Sequence, residues 1–295
     1  MGISAVDLSE TFSSIVERVG RSVVRVEGAR RRPTSGIAWS DKHVVTVAHG
    51  IEGDRAVVSA DGKDLEARLV GRDESTDIAL LELNEAFPAA RFDDGGAVKV
   101  GQVVLLLARP GETVRATSGI VSALGRKPWR AGRGGGEIDR YLEADAPHQP
   151  GFSGGPLVAL DGGVLGMTTT GLVRGTSLTI PTATLKRVVG QLAAHGKVRK
   201  SYLGLSMQPV QLPDPVREAT KEEIGLLVVA VEEGGPAAQA GVQYGDTLLH
   251  LGDDSVRTLH DLYAYLRQDR GGQQVPVKLY RNGAVQTVNV TLGAR

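Results

Sequence analysis

The sequence predicts a mainly β protein: two closed antiparallel β-barrels followed by a small α+β domain. Three observations carry this. Glycine occurs 39 times in 295 residues, far above ordinary usage, as a chain with many tight turns between short strands requires. From residue 22 to 181 about ten β-branched runs end at Gly, Asp or Pro, with no helical repeat between them. Helical periodicity returns only after those runs are complete, which excludes the alternating strand and helix pattern of a parallel sheet.

The first element is a helix with Leu8, Phe12, Ile15, Val16 and Val19 on one face and Gly20 at its stop. It either caps the core or offers Phe12 to another subunit. The strands follow at 22–26, 44–47, 56–59, 65–70, 78–83, 103–108, 114–124, 156–160, 164–170 and 178–180. Thr182 is suited to cap a helix carrying Leu185, Val188, Val189 and Leu192, with Gly196 as its terminator. The basic, polar stretch 197–201 is the expected linker, giving a helix at 1–20, a first domain at 21–196 and a second at 202–295. In the second, 203–210, 226–231 and 247–251 read as strands, and 236–240 and 258–268 as helices. Runs 275–280 and 285–292 flank Asn282-Gly283, whose tolerance of positive φ suits a type I′ hairpin.

Composition excludes several functions. Lys plus Arg and Asp plus Glu both number 34, so no net field favours nucleic acid or an anionic membrane. No apolar stretch approaches the ~20 residues of a membrane span. The absence of cysteine removes disulfides, thiolate metal sites and thiol nucleophiles together. The histidines outside the site described next show no metal-binding spacing, and neither metal nor cofactor is expected. Arg30-Arg31-Arg32 is too narrow for a nucleic-acid surface and reads as a solvated hairpin tip. The first residues, Met1-Gly2-Ile3-Ser4, carry neither a basic nor an apolar leader region. As written the chain is expected in the cytoplasm, and in the periplasm or outside the cell if the sequence is a trimmed piece.

The chemistry starts from Ser153 in Gly151-Phe152-Ser153-Gly154-Gly155-Pro156. Glycines beside a serine let backbone N–H groups approach a substrate carbonyl and stabilise an oxyanion. The hydroxyl needs a base, and His49 ends the apolar run Val44-Val45-Thr46-Val47-Ala48. The base needs a carboxylate to fix its tautomer, and Asp77 opens the run Ile78-Ala79-Leu80-Leu81. Each residue alone has an ordinary structural reading, but the chain order His, Asp, Ser is selective.

These segments resemble the chymotrypsin-fold serine proteases, and within them the HtrA/Deg group. Thr46-Val47-Ala48-His49 resembles the T-x-A-H signature, 73–81 the aspartate segment and 143–158 the nucleophile segment. Ser22-Val23-Val24-Arg25-Val26 resembles the opening strand, and Leu178-Thr179-Ile180-Pro181 the closing element before the helix. Tyr202-Leu203-Gly204-Leu205 resembles the carboxylate-binding loop of HtrA-type PDZ domains, and 235–242 and 245–249 resemble two further PDZ signatures.

The resemblance implies a serine endopeptidase acting on unfolded or partly folded proteins, assembled as a homotrimer. Ser153 would attack, His49 would carry the proton and Asp77 would orient the imidazole. The N–H groups of Gly151 and Ser153, with Phe152 in the turn between them, would form an oxyanion hole worth ~3 kcal/mol per donor. Pro147, six residues before the nucleophile, would floor the specificity pocket and favour cleavage after small or medium aliphatic residues. The strand from Ser177 through Leu178 and Thr179 would pair with the substrate backbone. The segment 125–136 occupies the place of a regulatory loop and is read as a mobile activation loop. The PDZ groove would take apolar C-termini, with Tyr202, Leu203, Gly204 and Leu205 at the carboxylate and Leu205, Leu262 and Leu266 as pocket candidates, although core packing accounts for these leucines equally well. One departure stands out: the family has Asn at the place of Phe152. An aromatic there either packs on a neighbouring loop or biases the turn toward a resting form, and the latter carries the alternative of a largely inactive fold acting as a PDZ-based binding or chaperone module.

Overall fold

A computed structural model describes residues 5–28, 32–93, 98–130, 136–173, 175–199, 201–266 and 270–294. The described residues fall into two compact units that divide between Val198 and Arg199.

The first unit begins with α1 (Ala5–Gly20). Ile15 and Val19 of its inner face are buried, and Phe12 and Val16 pack against the same core, while Leu8 is exposed. Six strands then close a barrel: β1 (Val23–Glu27), β2 (Thr34–Ala38), β3 (His43–Thr46), β4 (Arg55–Ala60), β5 (Lys63–Asp73) and β6 (Ile78–Leu83). Around the barrel their order is β1-β2-β3-β6-β5-β4, and β1 pairs with β4 to shut the ring. Closure leaves no free edge, and the interior is filled by small and branched residues such as Val24, Val26, Val44, Val58 and Leu81.

The second sheet comprises β7 (Val103–Ala108), β8 (Arg115–Leu124), β11 (Leu142–Ala144), β12 (Pro156–Ala159), β13 (Val164–Val173) and β14 (Thr176–Pro181), in the order β11-β8-β7-β12-β13-β14. It curls into a barrel that is nearly closed, with Leu106, Val121, Leu142, Phe152 and Leu157 in its interior. The short hairpin β9 (Trp129–Arg130) and β10 (Glu137–Ile138) stands apart. Helix α2 (Thr182–His195) ends the unit, stopped by Gly196 at φ 70.

In three places this unit departs from expectation. β2 was not among the expected strands, because Thr34-Ser35-Gly36 forms no apolar run. It is buried along its whole length and pairs on both sides, and a Cβ at Gly36 would lie 2.7 Å from Val44 Cγ1. Thr182 does not cap α2. The cap position is Pro181, and the Thr182 hydroxyl donates to the Val164 carbonyl at 2.9 Å. The segment 125–136 is a hairpin at its described ends rather than a plain loop, and the Gly136 N–H donates to the Ser75 carbonyl at 2.6 Å. Residues 131–135 lie outside the described residues, as do Arg30 and Arg31 of the basic run.

The second unit carries a sheet of β16 (Leu205–Gln211), β17 (Ile224–Val231), β18 (Thr247–Leu251), β20 (Gln274–Arg281) and β21 (Ala284–Thr291), in that order, with β19 (Asp254–Ser255) beside β18. β15 (Ser201–Tyr202) pairs with β22 (Gly293–Ala294). The turn between β20 and β21 has Asn282 at φ 49 and Gly283 at φ 85, the backbone of a type I′ hairpin. Two helices, α4 (Pro236–Gln239) and α5 (Leu259–Leu266), stand where they were expected. The end of the expected second helix, Gln268, lies outside the described residues. A third helix, α3 (Asp214–Thr220), was missed because Val216 is its one buried residue and so leaves no apolar stripe. Among the described residues no helix is long and apolar enough to cross a membrane.

Candidate active site

His49 sits in a single 3-10 turn, Ala48–Gly50, directly after β3, and Asp77 precedes β6. β3 and β6 are neighbours in the closed barrel, with Thr46 opposite Ala79, so both residues emerge at the same end of one strand pair. The Asp77 carboxylate is buried and accepts three donors. The His49 N–H reaches Oδ1 at 2.9 Å, His49 Nδ1 lies 2.8 Å from Oδ2, and the Thr169 hydroxyl from β13 donates to Oδ2. Nδ1–H facing a carboxylate leaves Nε2 as the acceptor, the tautomer that a general base needs. The His49 side chain is about one-third exposed while that of Asp77 is 5% exposed, so the pair is screened from behind and open in front.

Ser153 lies in the tight turn before β12, supplied by the second barrel. Gly151 has φ 85, and the Phe152 N–H bonds to the Gln149 carbonyl at 3.0 Å, closing a turn with Pro150 and Gly151 at its centre. Pro followed by a residue of positive φ is the type II arrangement. The N–H of Phe152 is thereby engaged, whereas those of Gly151 and Ser153 meet no acceptor among the described residues. A Cβ at Gly154, φ 90, would lie 1.9 Å from the Ser35 carbonyl oxygen, and one at Gly155 would lie 2.1 Å from that of Leu107. Both glycines after the serine are sterically obligatory.

Ser153, Gly151, His49, His148 and Thr170 line one cleft of about 510 Å3. Ser153 Oγ lies 3.3 Å from Thr170 Oγ1, and no hydrogen bond joins it to His49. Loose nucleophile–base geometry is common in unliganded sites and tightens when substrate binds. Pro147 and the segment from Ser177 to Thr179 do not line this cleft. Pro147 is exposed, its carbonyl accepting from the Thr117 hydroxyl. Leu178 pairs with Thr169 of β13, on whose far side β14 lies.

The Phe152 side chain is fully buried in the second barrel. The His148 ring meets it edge-on at 6.0 Å, and His148 Nε2 is buried without a partner among the described residues. Burial, with the nearby charge of His49 as the smaller cause, holds the His148 imidazole below its ordinary pKa.

Sequence reasoning missed three residues that build the site. Thr169 donates to Asp77, and Gly171 packs so tightly on the pair that a Cβ there would lie 2.5 Å from Asp77 Oδ2 and 2.7 Å from His49 Nδ1. Ser35 clamps the nucleophile turn, its N–H donating to the Ser153 carbonyl and its hydroxyl to the Gly151 carbonyl, each at 2.8 Å. Residues 170–172 fall in the register break of the β13–β14 ladder, beyond the stretch that pairs with β12. Thr170 and Gly171 are exposed there beside His49.

In the second unit β16 pairs, among the described residues, with β17 alone and so presents an edge. Leu205 on that edge is half-buried, whereas Leu203, Leu262 and Leu266 belong to the buried core. Gly204 has φ 75, and its carbonyl and that of Leu203 accept from Glu232 and Ala237. Tyr202 lies over Gly293, where a Cβ would meet its ring at 2.1 Å. Among the described residues no cluster of His, Asp and Glu could hold a metal.

Comparison with known proteins agrees with both units. Residues 34–167 match the model of the trypsin-like peptidase domain, and residues 201–292 match that of the PDZ domain. A protein of Brucella suis biovar 1 (strain 1330), named "Probable periplasmic serine endoprotease DegP-like", is 35% identical over 86% of this chain and 51% of its own length. A protein of the same name from Marinomonas sp. (strain MWYL1) is 33% identical over 100% of this chain and 64% of its own. The chain thus spans about half the length of the first of these. Among solved structures, the serine endoprotease from Yersinia pestis aligns with a TM-score of 0.77 at 28% identity, covering 100% of this chain and 99% of that one. HtrA-type protease AlgW with tripeptide aligns with a TM-score of 0.75 at 26% identity, covering 96% and 97%. The cytoplasmic placement expected from the N-terminal residues is corrected by the relatives, which are named periplasmic. With both family models in order along one chain, relatives aligned across the two, and a carboxylate-held histidine sharing one cleft with a serine, the chain belongs to the HtrA/Deg family of serine proteases.

Proposed function

We propose that this protein is a serine endopeptidase that cleaves unfolded or partly folded proteins in the periplasm. The observation that carries the proposal is the shared cleft of the carboxylate-fixed His49 and Ser153, beside two uncommitted N–H groups. Ser153 Oγ attacks the scissile carbonyl as its proton passes to His49 Nε2, and Asp77 compensates the imidazolium that forms. The carbonyl oxygen moves between the N–H groups of Gly151 and Ser153 as it gains charge. His49 then returns the proton to the leaving amine, and water hydrolyses the acyl-enzyme by the same steps. The stretch 170–172 of β13, outside the β14 register and exposed at Thr170 and Gly171, is the proposed edge along which the substrate backbone extends. The alternative is a largely inactive fold acting as a PDZ-based binding or chaperone module, which the same experiment tests.

The test is a fluorophosphonate reagent together with an unfolded protein substrate. Stoichiometric labelling at Ser153, loss of cleavage in step with labelling, and small or medium aliphatic residues at the newly formed C-termini are expected. Absence of both labelling and cleavage would overturn the enzyme reading, and predominantly basic ends would overturn the specificity alone.

The PDZ domain is proposed to capture apolar C-termini along β16, and the active assembly is proposed to be a homotrimer, as the family resemblance implies. Calorimetry with a peptide ending in an aliphatic residue is expected to give micromolar binding, about 8 kcal/mol. Amidating the peptide C-terminus should abolish it; equal affinity for both forms would rule out carboxylate capture.

A further inference from the structure

We propose that Ser35 is a positioning residue that holds the oxyanion-hole turn in its working orientation, through a hydrogen-bond relay running from the Arg109 N–H through the Ser35 hydroxyl to the Gly151 carbonyl. This rests on the endopeptidase reading only for its consequence in catalysis; the relay itself is a matter of geometry.

Ser35 is fully buried in β2 of the first barrel, and each of its polar groups is engaged. The Arg109 N–H donates to Ser35 Oγ at 2.8 Å. An amide can only donate, so this bond commits an oxygen lone pair and leaves the hydroxyl proton for the Gly151 carbonyl at 2.8 Å. The Ser35 N–H holds the Ser153 carbonyl at 2.8 Å, and the Ser35 carbonyl accepts from the Thr46 hydroxyl at 2.7 Å. One residue therefore grips the carbonyl oxygens of both Gly151 and Ser153, the two residues whose N–H groups stay uncommitted.

The Gly151 grip is the consequential one. Gly151 has no Cβ and sits at φ 85, so little local sterics opposes rotation of the peptide that follows it. That carbonyl shares a peptide unit with the Phe152 N–H, the unit that lies between those carrying the Gly151 and Ser153 N–H groups, so its turning from Ser35 would change the angle between the two donors. The hydroxyl removes this freedom because its own direction is fixed from the other side. Arg109 is an immobile starting point: its guanidinium is buried and donates to the carbonyls of Gly20, Val23 and Glu112 and to Asp61. The serine thus reaches across from the first barrel to the nucleophile turn of the second, 116 positions away in sequence.

The test uses the full chain with Ser35→Thr, Ser35→Val and Ser35→Ala. Thr and Val share a shape and differ by the hydroxyl, so their comparison separates the hydrogen bond from packing, while Ser35→Ala carries the test if the branched pair does not fold. Thermal midpoints identify which variants are folded. Loss of the hydroxyl is expected to lower kcat by about 100-fold, the effect of a misplaced or missing oxyanion donor, with KM within about threefold of the parent. Affinity for a peptide aldehyde, whose hemiacetal oxygen occupies the hole, should fall in parallel, and Ser35→Thr should restore most of both. Equal kcat in the Thr and Val variants, with native and Ser153→Ala proteins differing as expected, would overturn the relay and leave the enzyme reading standing. Should the native protein prove inactive, amide hydrogen exchange decides the relay independently. Faster exchange at Gly151 to Ser153 in the Val or Ala variant than in the Thr variant would support it, and identical exchange would overturn it.

Discussion

Replacing Ser153 by alanine is expected to lower kcat on an unfolded protein by about a million-fold, the loss found when the nucleophile of such a triad is removed. What survives is the part of catalysis supplied by binding and by the N–H groups of Gly151 and Ser153, which alanine retains. Substrate should still bind, because the 170–172 edge and the cleft are untouched, so KM is expected to stay within a fewfold. The fold should also persist. Ser153 Oγ makes one contact, 3.3 Å to Thr170 Oγ1, and its loss removes a weakly held hydroxyl rather than a packed group. Equal thermal midpoints with cleavage reduced to background, followed by mass spectrometry of the products, would establish the nucleophile. Cleavage persisting near the native rate would mean that Ser153 is a bystander or that a contaminant does the work, and an unlabelled active site would identify the latter.

The second large effect is expected at Asp77→Asn, about ten-thousand-fold in kcat at neutral pH. The size of the side chain is unchanged, so the argument is wholly one of donors and acceptors. As a carboxylate, Asp77 accepts from the His49 N–H, from His49 Nδ1–H and from the Thr169 hydroxyl. An asparagine has one acceptor oxygen and a two-proton amide. Whichever way it turns, one of the three donors meets another donor. If the amide faces the ring, His49 must present a bare Nδ1 to it and carry its proton on Nε2, where a base should have none. Reactivity toward a fluorophosphonate should fall alongside peptide cleavage, since both need Ser153 activated. A variant within tenfold of native in both assays would remove Asp77 from the mechanism.

The three residues of the proposed triad could be picked out because His49, Asp77 and Ser153 each sit where a buried strand meets a turn, a place that short apolar runs and glycines mark in the sequence. The barrels were legible for the same reason, and so was the Asn282-Gly283 hairpin, whose backbone requires residues tolerant of positive φ. What stayed hidden has a different origin. Thr169, Gly171 and Ser35 act on residues 92, 94 and 116 positions away on the functional side of the fold, through single hydrogen bonds or close approaches that no local periodicity encodes. β2 was hidden because Gly36 and two hydroxyl residues carry a strand whose burial comes from neighbours on both sides. The proposed specificity elements, Pro147 and Ser177 to Thr179, came from the resemblance alone, and they do not line the cleft that His49 and Ser153 share with His148 and Thr170.

The seat of Phe152 in the second barrel has a thermal consequence. An apolar anchor draws its strength from water released on burial, a force that is almost purely entropic near room temperature and fades on cooling. A polar anchor at the same place would lack that heat-capacity signature. Chilling is therefore expected to weaken the hold of Phe152 on the turn more than that of the Ser35 hydrogen bonds.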